Sequence, residues 1–445
     1  MSVTTDAPYI LCVNPWVYDF AAHDFFARPL GLLYLAGRLR AAGLRVGLLD
    51  LASRPLDNPD PKGRWPKEIL PTPVSLQGVP RHYGRYGLSP DQARQALATL
   101  PQPPAAVLVT SLMTYWYPGV QATIALIREQ FPAAPVILGG IYATLLPAHA
   151  RAAGGADYVL TGPGEESVLT LLRDLTGFEA CPTTTSNGDW VYPAWDLLPD
   201  HRLLPLLTSR GCPWQCDYCA SRLLEPNHRR RRPEQVLAEL LYWHERFGVR
   251  EVAFYDDALL VAAEDHLLPL LEGVVRQGLP LRFHTPNALH LSLLTPEVAQ
   301  WLKRANFATL RLGLETTALG QARRDRKIQA GDLEEAVAAL RQAGYTAADI
   351  GVYLLMGLPQ QEDEEVAASI RAVRQAGATP VLAHYSPIPG TALWPEAVRA
   401  SRYDLTADPL FHNNSIFPCW PEFSWERYTR LKNLAADRNC QQLRN

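Results

Sequence analysis

The sequence lacks a charge excess, a long apolar run and an N-terminal export signal. Its 42 basic and 45 acidic residues give a formal net charge of −3, which argues against a protein that coats nucleic acid. No stretch approaches the roughly 20 uninterrupted apolar residues that a membrane span requires. Residues 1–8 contain no basic segment followed by an apolar one. These absences predict a cytoplasmic protein with no membrane span and no nucleic-acid partner.

Cysteine is also scarce, and its spacing does not suggest disulfides. The seven cysteines are an odd number, whereas the disulfide framework of a secreted protein usually has an even number at close spacings. Cys12, Cys181, Cys419 and Cys440 each stand alone in the sequence, and isolated thiols are most often plain buried or surface groups. A reducing compartment and a single metal cluster are therefore expected.

The 445 residues exceed one ordinary hydrophobic core, so two domains are expected. In the first half, apolar runs alternate with amphipathic stretches; the runs are 9–13, 44–50, 105–110, 134–140 and 157–161. Continuous apolar runs indicate strands that are covered on both faces. We predict a doubly wound, Rossmann-like parallel sheet over residues 1–190. Residues 53–104, rich in proline, glycine and arginine, are predicted to form an irregular connection that contains one helix.

Parallel sheets of this kind bind ligands at the carboxyl ends of their strands. The sequence places Ser111, Gly139, Gly140 and Gly162 at such ends. Glycines that directly follow a strand let the backbone approach a ligand closely, although any one pair could equally form a simple tight turn. These four residues are the candidate cofactor-binding residues of the first half.

The second half repeats a strand followed by a helix. Its six strand candidates are residues 203–208, 251–255, 281–285, 309–314, 349–355 and 380–384. Regular alternation predicts a parallel barrel of TIM type, and six units instead of eight make it a partial (β/α)6 barrel. We assign the barrel to residues 191–395 and a short C-terminal tail to residues 396–445. The overall fold class is α/β.

Chemistry in such barrels gathers at the carboxyl ends of the strands. Asp256 and Asp257 follow the second strand and Glu315 ends the fourth. Because successive side chains leave a strand in opposite directions, at most one of the two aspartates is expected to face the cavity. The arginines of residues 229–232 are predicted to form a solvated or carboxylate-paired turn, with binding of an anionic ligand as the alternative.

The segment after the first barrel strand is the most informative in the chain. Cys212, Cys216 and Cys219 crowd one loop there. Three thiolates can hold an iron–sulfur cluster and leave one iron open, whereas a structural zinc site needs four ligands and finds no second cysteine pair nearby. A zinc half-site, or a redox pair with a spare cysteine, are the alternatives.

This CxxxCxxC spacing, with an aromatic residue directly before the last cysteine, resembles the signature of the radical S-adenosylmethionine (SAM) enzymes. The resemblance covers nearly all of residues 201–395. It implies a [4Fe–4S] cluster on Cys212, Cys216 and Cys219, with SAM chelated by the open iron. One electron from the cluster would then cleave SAM to a 5′-deoxyadenosyl radical. An electron donor such as flavodoxin or ferredoxin is implied as a partner.

The same resemblance implies residues that contact SAM. By position, the backbone at Tyr218 should meet the adenine, and Glu315 should reach the ribose or the amino group. Val352 and Leu354 should flank the adenine, and Asp257 is a further candidate cofactor-binding residue. Carboxylates that accept hydrogen bonds from hydroxyl groups, and apolar side chains that pack against adenine, suit such a ligand.

The first half resembles the cobalamin-binding domain that precedes the catalytic domain in one branch of these enzymes. The matching pieces are residues 29–36, the Gly139-Gly140 pair and residues 162–166. The Asp-x-His-x-x-Gly motif that supplies a histidine to cobalt in many such domains is absent, because His23 follows Asp19 by four residues. We therefore predict that any bound cobalamin has no lower ligand from His23.

These resemblances predict an enzyme that cleaves SAM reductively with one [4Fe–4S] cluster. Its predicted reaction is cobalamin-dependent methyl transfer to an unactivated carbon or phosphorus centre of a small molecule or peptide. The first alternative is a cobalamin-free radical SAM enzyme that abstracts hydrogen and then rearranges, cleaves or cyclises its substrate. The second is a non-catalytic metal- or redox-binding protein, which would leave the strand-end residues unexplained.

Overall fold

The protein forms two compact units. The computed structural model describes residues 7–22, 27–53, 67–179, 181, 190–318, 324–325 and 327–436. The first unit comprises residues 1–201 with 408–411, and the second comprises residues 202–407 with 412–445. The tail that we expected as a third segment is thus divided between the two units. Within the described ranges no helix is long and apolar enough to cross a membrane.

The first unit is built around a parallel sheet. Its strands are, in chain order, β1 (Tyr9–Asn14), β2 (Val17–Asp19), β3 (Arg45–Asp50), β4 (Lys67–Ile69), β5 (Gly84–Tyr86), β6 (Ala106–Val109), β7 (Val136–Leu138) and β8 (Tyr158–Val159). The parallel sheet has the order β3-β1-β6-β7-β8, so the chain reverses direction across the sheet between β1 and β6. This is the doubly wound sheet predicted from the apolar runs, and ligands bind such sheets at that reversal.

Helices cover both faces of this sheet. They are α1 (Leu30–Ala41), α2 (Pro90–Ala98), α3 (Tyr117–Gln130), α4 (Ile141–Leu145), α5 (Pro147–Ala153) and α6 (Glu165–Thr176). Alternate residues of β1 enter different cores, with Leu11 and Val13 on one face and Ile10 and Cys12 on the other. Cys12 is fully buried in the second of these cores, as expected for an isolated cysteine in an apolar strand.

A second, antiparallel sheet corrects the prediction for residues 53–104. Strands β2, β5 and β4 form a three-stranded sheet in that order, so this connection is not irregular throughout. The Lys67 ammonium group donates to the Phe20 carbonyl at 2.7 Å, and the Tyr86 hydroxyl donates to the same oxygen at 3.1 Å. Strands of three residues are too short to show the alternation that identifies a strand in a sequence.

The second unit contains the partial barrel. Its strands are β9 (Leu203–Leu206), β10 (Ser209–Arg210), β11 (Arg229–Arg230), β12 (Glu251–Phe254), β13 (Arg282–His284), β14 (Leu289–His290), β15 (Phe307–Glu315), β16 (Ile350–Met356) and β17 (Thr379–His384). The main sheet is parallel and has the order β17-β16-β15-β13-β12-β9, with β14 paired to β15. The six predicted strands are all present, and β9 and β17 lie at the two edges of an open sheet.

Helices connect these strands as the pattern predicts. They are α7 (Ser221–Leu224), α8 (Pro233–Phe247), α9 (Leu267–Arg276), α10 (Pro296–Arg304), α11 (Asp332–Gln342), α12 (Asp363–Gln375), α13 (Trp394–Ala400) and α14 (Trp425–Ala436). Helix α8 begins at Pro233, which suits the first helical position, and Gly248, at φ 64°, ends it in a left-handed conformation. Strands β10, β11 and β14 were not predicted, since each has only two residues.

Candidate active site

A buried carboxylate holds the start of the cysteine loop, residues 208–220. Asp256, which follows β12, accepts hydrogen bonds from the Thr208 hydroxyl at 2.7 Å, the Ser209 amide at 2.6 Å and the Ser209 hydroxyl at 2.6 Å. Its side chain is almost fully buried. Of the two adjacent aspartates, Asp256 therefore anchors the start of the loop and is not free to contact a ligand.

Replacing Asp256 with asparagine should destabilise the second unit by about 1–3 kcal/mol, because hydrogen bonds to a charged acceptor lose that charge. Burial raises the pKa of Asp256, opposed by the Ser209 and Thr208 hydrogen bonds. The measurement is chemical unfolding of the Asp256→Asn variant against the wild type. Asp349→Asn is the control, since Asp349 accepts exposed hydrogen bonds from Thr346; equal stability losses would contradict the anchoring role.

Arg231, one of the arginines of residues 229–232, stabilises the same loop. Arg231 forms a fully buried ion pair with Glu239 at 2.6 Å and donates to the Leu207 carbonyl at 3.0 Å. Strands β10 and β11 pair antiparallel, which places Ser209 opposite Arg230. This matches the carboxylate-paired interpretation at Arg231, and removing one partner of such a pair would leave an uncompensated buried charge.

The three loop cysteines lie on one turn of irregular chain. Cys212 and Cys216 are half-buried and Cys219 is exposed. The Cys219 amide donates to the Cys216 carbonyl at 3.0 Å, and the Ser221 amide donates to the Cys219 sulfur at 3.4 Å. Burial raises the pKa of the Cys216 thiol to about 12, so a bound metal must displace its proton.

In the described part of the chain, no three His, Cys, Asp or Glu side chains converge as they would around a single metal ion. A zinc ion takes four ligands in a structural site, whereas each thiolate of an iron–sulfur cubane binds a different iron atom. The choice of a cluster over a zinc ion therefore rests on the number and spacing of the cysteines.

Glu315 ends β15 in an unusual backbone conformation. Its φ is 66°, and the pairing of β15 with β16 shifts register between Gly313 and Glu315. Left-handed backbone costs a non-glycine residue roughly 1–3 kcal/mol and persists where the surroundings enforce it. Beyond it, the Thr316 hydroxyl donates to Glu365 at 2.7 Å, and the Thr317 amide donates to the Ser369 hydroxyl at 3.0 Å. These hydrogen bonds fix the end of β15 and therefore the position of Glu315.

Lys327 is a site residue that the sequence interpretation missed. Its ammonium group lies 3.7 Å from a Glu315 oxygen and 4.0 Å from an Asp325 oxygen, and its side chain is only 9% exposed. Burial alone would lower the pKa of Lys327, but Glu315, Cys216, Asp325 and Cys212 together raise it. A buried cation thus lies among the acidic groups and thiols of the site. No motif marks a single lysine in a loop, so only the folded chain identifies it.

A cavity of about 160 Å³ opens at the carboxyl ends of β15 and β16. Tyr218 of the cysteine loop and Glu315 both line it. The fold thus brings together two candidates that stand almost one hundred residues apart in the sequence. The Tyr218 hydroxyl is buried and interacts with the Cys216 thiol, so Tyr218 links the cavity to the candidate metal ligands.

The apolar wall of this cavity includes a residue that was not predicted. Val352 and Leu354 are fully buried, whereas the half-buried Leu355 lines the cavity. Side chains alternate along a strand, so Leu355 and Tyr353 share one face of β16 and Val352 and Leu354 share the other. Leu355 is therefore a further candidate for the apolar wall, and the prediction that Val352 and Leu354 flank the adenine stays a prediction.

The loop after β16 forms another side of the cavity. The Gln361 side-chain oxygen accepts from the Gly357 amide at 2.8 Å, and its nitrogen donates to the Leu355 carbonyl at 3.0 Å. Gln360, which also lines the cavity, has φ 60°. Two strained residues, Glu315 and Gln360, thus border one cavity, as is common at functional sites.

Asp257 lies apart from this wall. Its side chain is exposed, and it interacts with the Ser221 hydroxyl and the Cys212 thiol. It is not among the residues that line the cavity around Glu315. The structure thus places Asp257 at the cysteine loop, beside the candidate metal ligands.

In the first unit, the four predicted strand-end residues join one hydrogen-bond network. The Ser111 hydroxyl donates to the Gly139 carbonyl at 2.6 Å. Thr144, which was not predicted, donates to the Gly140 carbonyl at 2.8 Å and accepts from the Gly162 amide at 3.0 Å. The network links the ends of β6, β7 and β8.

The space above this network suits a large ligand. A Cβ atom at Gly139 would meet only the Leu160 carbonyl at 3.9 Å, and one at Gly162 would meet nothing within 4 Å. The apolar side chains of Leu112 and Met113, which follow Ser111, are 41% and 45% exposed. Open glycine positions beside exposed apolar side chains fit a broad, partly apolar cofactor. His23 lies outside the described residues, so the prediction about the lower ligand stays a prediction.

Gly140→Ala should weaken corrinoid binding at least tenfold, because Gly140 has φ 93° and an added Cβ would lie 2.4 Å from the Ser111 carbonyl oxygen. A strained residue with such a clash costs roughly 1–3 kcal/mol or forces the network apart. The measurement is spectroscopic titration with cobalamin under anaerobic conditions. Gly31→Ala, whose Cβ would meet nothing within 4 Å, is the control, and equal affinities would show that the network does not shape the cofactor site.

Comparison with known families agrees with this geometry. Residues 206–373 match the radical SAM superfamily, and residues 86–172 match the B12-binding domain. The chain therefore contains a radical SAM domain with a B12-binding domain ahead of it. Its cofactors are a [4Fe–4S] cluster, SAM and cobalamin. That the three cysteines of the loop and the open strand ends hold these groups stays a prediction.

Two relatives share about a quarter of their aligned residues with this chain. The chain is 25% identical over 353 residues to an uncharacterized methyltransferase, PH0819, of Pyrococcus horikoshii, covering 69% of this chain and 70% of the relative. It is 27% identical over 315 residues to the hopanoid C-2 methylase of Rhodopseudomonas palustris, covering 65% of this chain but only 58% of the relative.

Among solved structures, the chain resembles the radical SAM methyltransferase TsrM from Kitasatospora setae with cobalamin and a [4Fe–4S] cluster bound. The TM-score is 0.68 with 17% identity, over 96% of this chain and 91% of that one. At this identity the likeness establishes the fold, a Rossmann-like sheet joined to a radical SAM barrel.

Proposed function

We propose that the protein is a cobalamin-dependent radical SAM methyltransferase that methylates an unactivated carbon centre. The observation that carries the proposal is the presence, in one chain, of the cysteine loop beside the Glu315 cavity and of an open strand-end site within the B12-binding domain. The relatives named for their reactions support the choice of carbon, since two are methylases of hopanoid carbons C-2 and C-3. When bound, the cluster supplies an electron to SAM and cobalamin carries a methyl group.

The residues of the second unit have separate parts in this proposal. Cys212, Cys216 and Cys219 hold the cluster, and Glu315 accepts hydrogen bonds from the ribose or amino group of SAM. Tyr218 offers its backbone to the adenine, and its buried hydroxyl interacts with the Cys216 thiol. Leu355 supplies an apolar wall of the cavity, and Val352 and Leu354 are retained as the residues predicted to flank the adenine. The protein's contribution is to orient the ligands and exclude water around them.

The residues of the first unit hold cobalamin in this proposal. Gly139, Gly140 and Gly162 admit the cofactor close to the backbone, and Ser111 fixes the Gly139 carbonyl. Leu112 and Met113 offer apolar contact. We retain the prediction that no histidine at position 23 coordinates cobalt, and nitrogen hyperfine splitting in the cob(II)alamin electron paramagnetic resonance spectrum would contradict it.

We propose a small molecule or peptide as the substrate and a reduced flavodoxin or ferredoxin as the electron donor. An oxygen-sensitive cluster and cysteines that form no disulfide within the described ranges suit a reducing compartment, so we place the enzyme in the cytoplasm.

Anaerobic purification followed by iron, sulfide and corrinoid analysis tests the assignment. The proposal predicts one [4Fe–4S] cluster and one corrinoid per chain, and S-adenosylhomocysteine formation when SAM, reductant and substrate are supplied. Iron without corrinoid, together with 5′-deoxyadenosine as the only product of SAM, would replace it by the cobalamin-free alternative. Protein without a cluster would leave only a binding function.

One observation favours that alternative. The chain is 22% identical over 347 residues to the anaerobic magnesium-protoporphyrin IX monomethyl ester cyclase of Synechocystis. A cyclase is not a methyltransferase, so relatives of this kind are not confined to methyl transfer. Product analysis with labelled SAM distinguishes the two reactions, since only methyl transfer moves the labelled methyl group to the substrate.

A further inference from the structure

The cysteine loop carries a tryptophan between two of its metal ligands. Trp214 stands two residues after Cys212 and two before Cys216. At these separations, the position of the Trp214 backbone constrains both cysteines, because a residue spans at most about 3.6 Å of chain. Any contact that holds Trp214 therefore holds two of the three thiols.

Trp214 stacks face to face on His290. The ring centroids lie 4.0 Å apart and the planes are inclined by 21°. Trp214 is half-buried and His290 is only 5% exposed. The contact joins the loop to a side chain that is fixed inside the unit.

The barrel itself fixes His290. In the pairing of β14 with β15, His290 lies opposite Gly313, two residues before Glu315. Paired residues of neighbouring strands point to the same face of a sheet. A Cβ atom at Gly313 would lie 3.1 Å from a Glu315 oxygen and 3.7 Å from the Lys327 ammonium nitrogen. His290 therefore lies on the sheet face next to Glu315 and Lys327, and strand pairing holds its backbone in place.

Hydrogen bonds within the protein do not explain why the His290 imidazole is buried. In the described part of the chain, its buried Nδ1 atom has no hydrogen-bond partner, and an unpaired buried polar atom costs about 1–3 kcal/mol. Burial, with Lys327 nearby, lowers the pKa of His290 to about 3, so the ring is neutral. A neutral ring with an unpaired nitrogen contributes either through its flat face or by binding a ligand.

We propose that His290 is a positioning residue for the iron–sulfur cluster, which it serves by stacking on Trp214 and fixing the Cys212–Cys216 segment against β14. The role depends on the flat ring face and not on the ring nitrogens. It requires only that the loop binds a cluster, and it holds whether the enzyme transfers methyl groups or abstracts hydrogen.

The test compares cluster loss to an iron chelator in the full-length, reconstituted protein, followed anaerobically by the visible absorbance of the cluster. His290→Ala and Trp214→Ala should each lose the cluster roughly two- to tenfold faster than the wild type, as expected for a lost aromatic stack. His290→Phe and Trp214→Phe retain a flat ring and should lose it at the wild-type rate. The double alanine variant should be no faster than either single variant, because both remove one interaction.

Phe247→Ala is the matched control, because it removes a stack with Trp243, at 5.6 Å and 9°, on α8. It should leave the rate of cluster loss unchanged. Thermal unfolding of each variant before reconstitution detects a general loss of stability. Wild-type rates in His290→Ala, or equally fast loss in His290→Phe and His290→Ala, would overturn the proposal.

Discussion

Cys216→Ala is expected to abolish the cluster and, with it, all cleavage of SAM. Cys216 is one of three cysteines on the only loop of the sequence that clusters them, so the variant has two ligands where a cluster with one open iron needs three. Cys216 is also partly buried beside Lys327. The measurement is iron and sulfide content after anaerobic reconstitution, with 5′-deoxyadenosine production under strong reductant.

Cys181→Ala is the matched control, because Cys181 is an exposed thiol of the first unit far from the loop in sequence. It should keep full iron content and activity. Corrinoid binding should persist in both variants, since the B12-binding domain covers residues 86–172. Full iron content and continued 5′-deoxyadenosine production in Cys216→Ala would refute the ligand assignment.

Glu315→Gln is expected to keep the cluster but to weaken SAM binding roughly ten- to a hundredfold. Glu315 lines the cavity together with Tyr218 and lies 3.7 Å from the Lys327 ammonium group. A hydrogen bond donated to a charged group contributes about 1.5–3 kcal/mol, which corresponds to that change in affinity. The substitution keeps the shape of the side chain and removes its charge. SAM affinity of the reconstituted protein, measured by equilibrium dialysis, is the test.

Glu364→Gln is the control, since Glu364 is an exposed carboxylate of α12 that pairs with Arg371. It should bind SAM like the wild type. If Glu315→Gln also bound SAM normally, Glu315 would be a structural partner of Lys327 and not a ligand-binding residue. Loss of iron from Glu315→Gln would likewise contradict the division of tasks between the carboxylate and the cysteines.

Most strands could be predicted because their apolar runs are continuous. Both faces of β1 are buried, with Leu11 and Cys12 in different cores, so every residue of the run carries the same signal. Strands β2, β4 and β5 were missed because they are three residues long and partly polar. A local pattern needs several residues before its period can be recognised.

The residues of β16 that line the cavity could not be predicted from the sequence. The range of β16 was close to the prediction, yet Val352 and Leu354 lie on the strand face that does not line the cavity. In a strand that is buried on both faces, an apolar residue gives no sign of which face it occupies. The sequence therefore could not distinguish Leu354 from Leu355.

The cysteine loop, the two parallel α/β units and the glycines at the strand ends were determined by the sequence itself, because ligand type, spacing and apolar runs are local properties. The tertiary structure decided which of these residues meet. Lys327 joins Glu315, Trp214 stacks on His290, and Asp256 binds the start of the cysteine loop. Such pairs arise between residues far apart in the chain, and the interaction between them depends on strand order and side-chain direction, which no local pattern specifies.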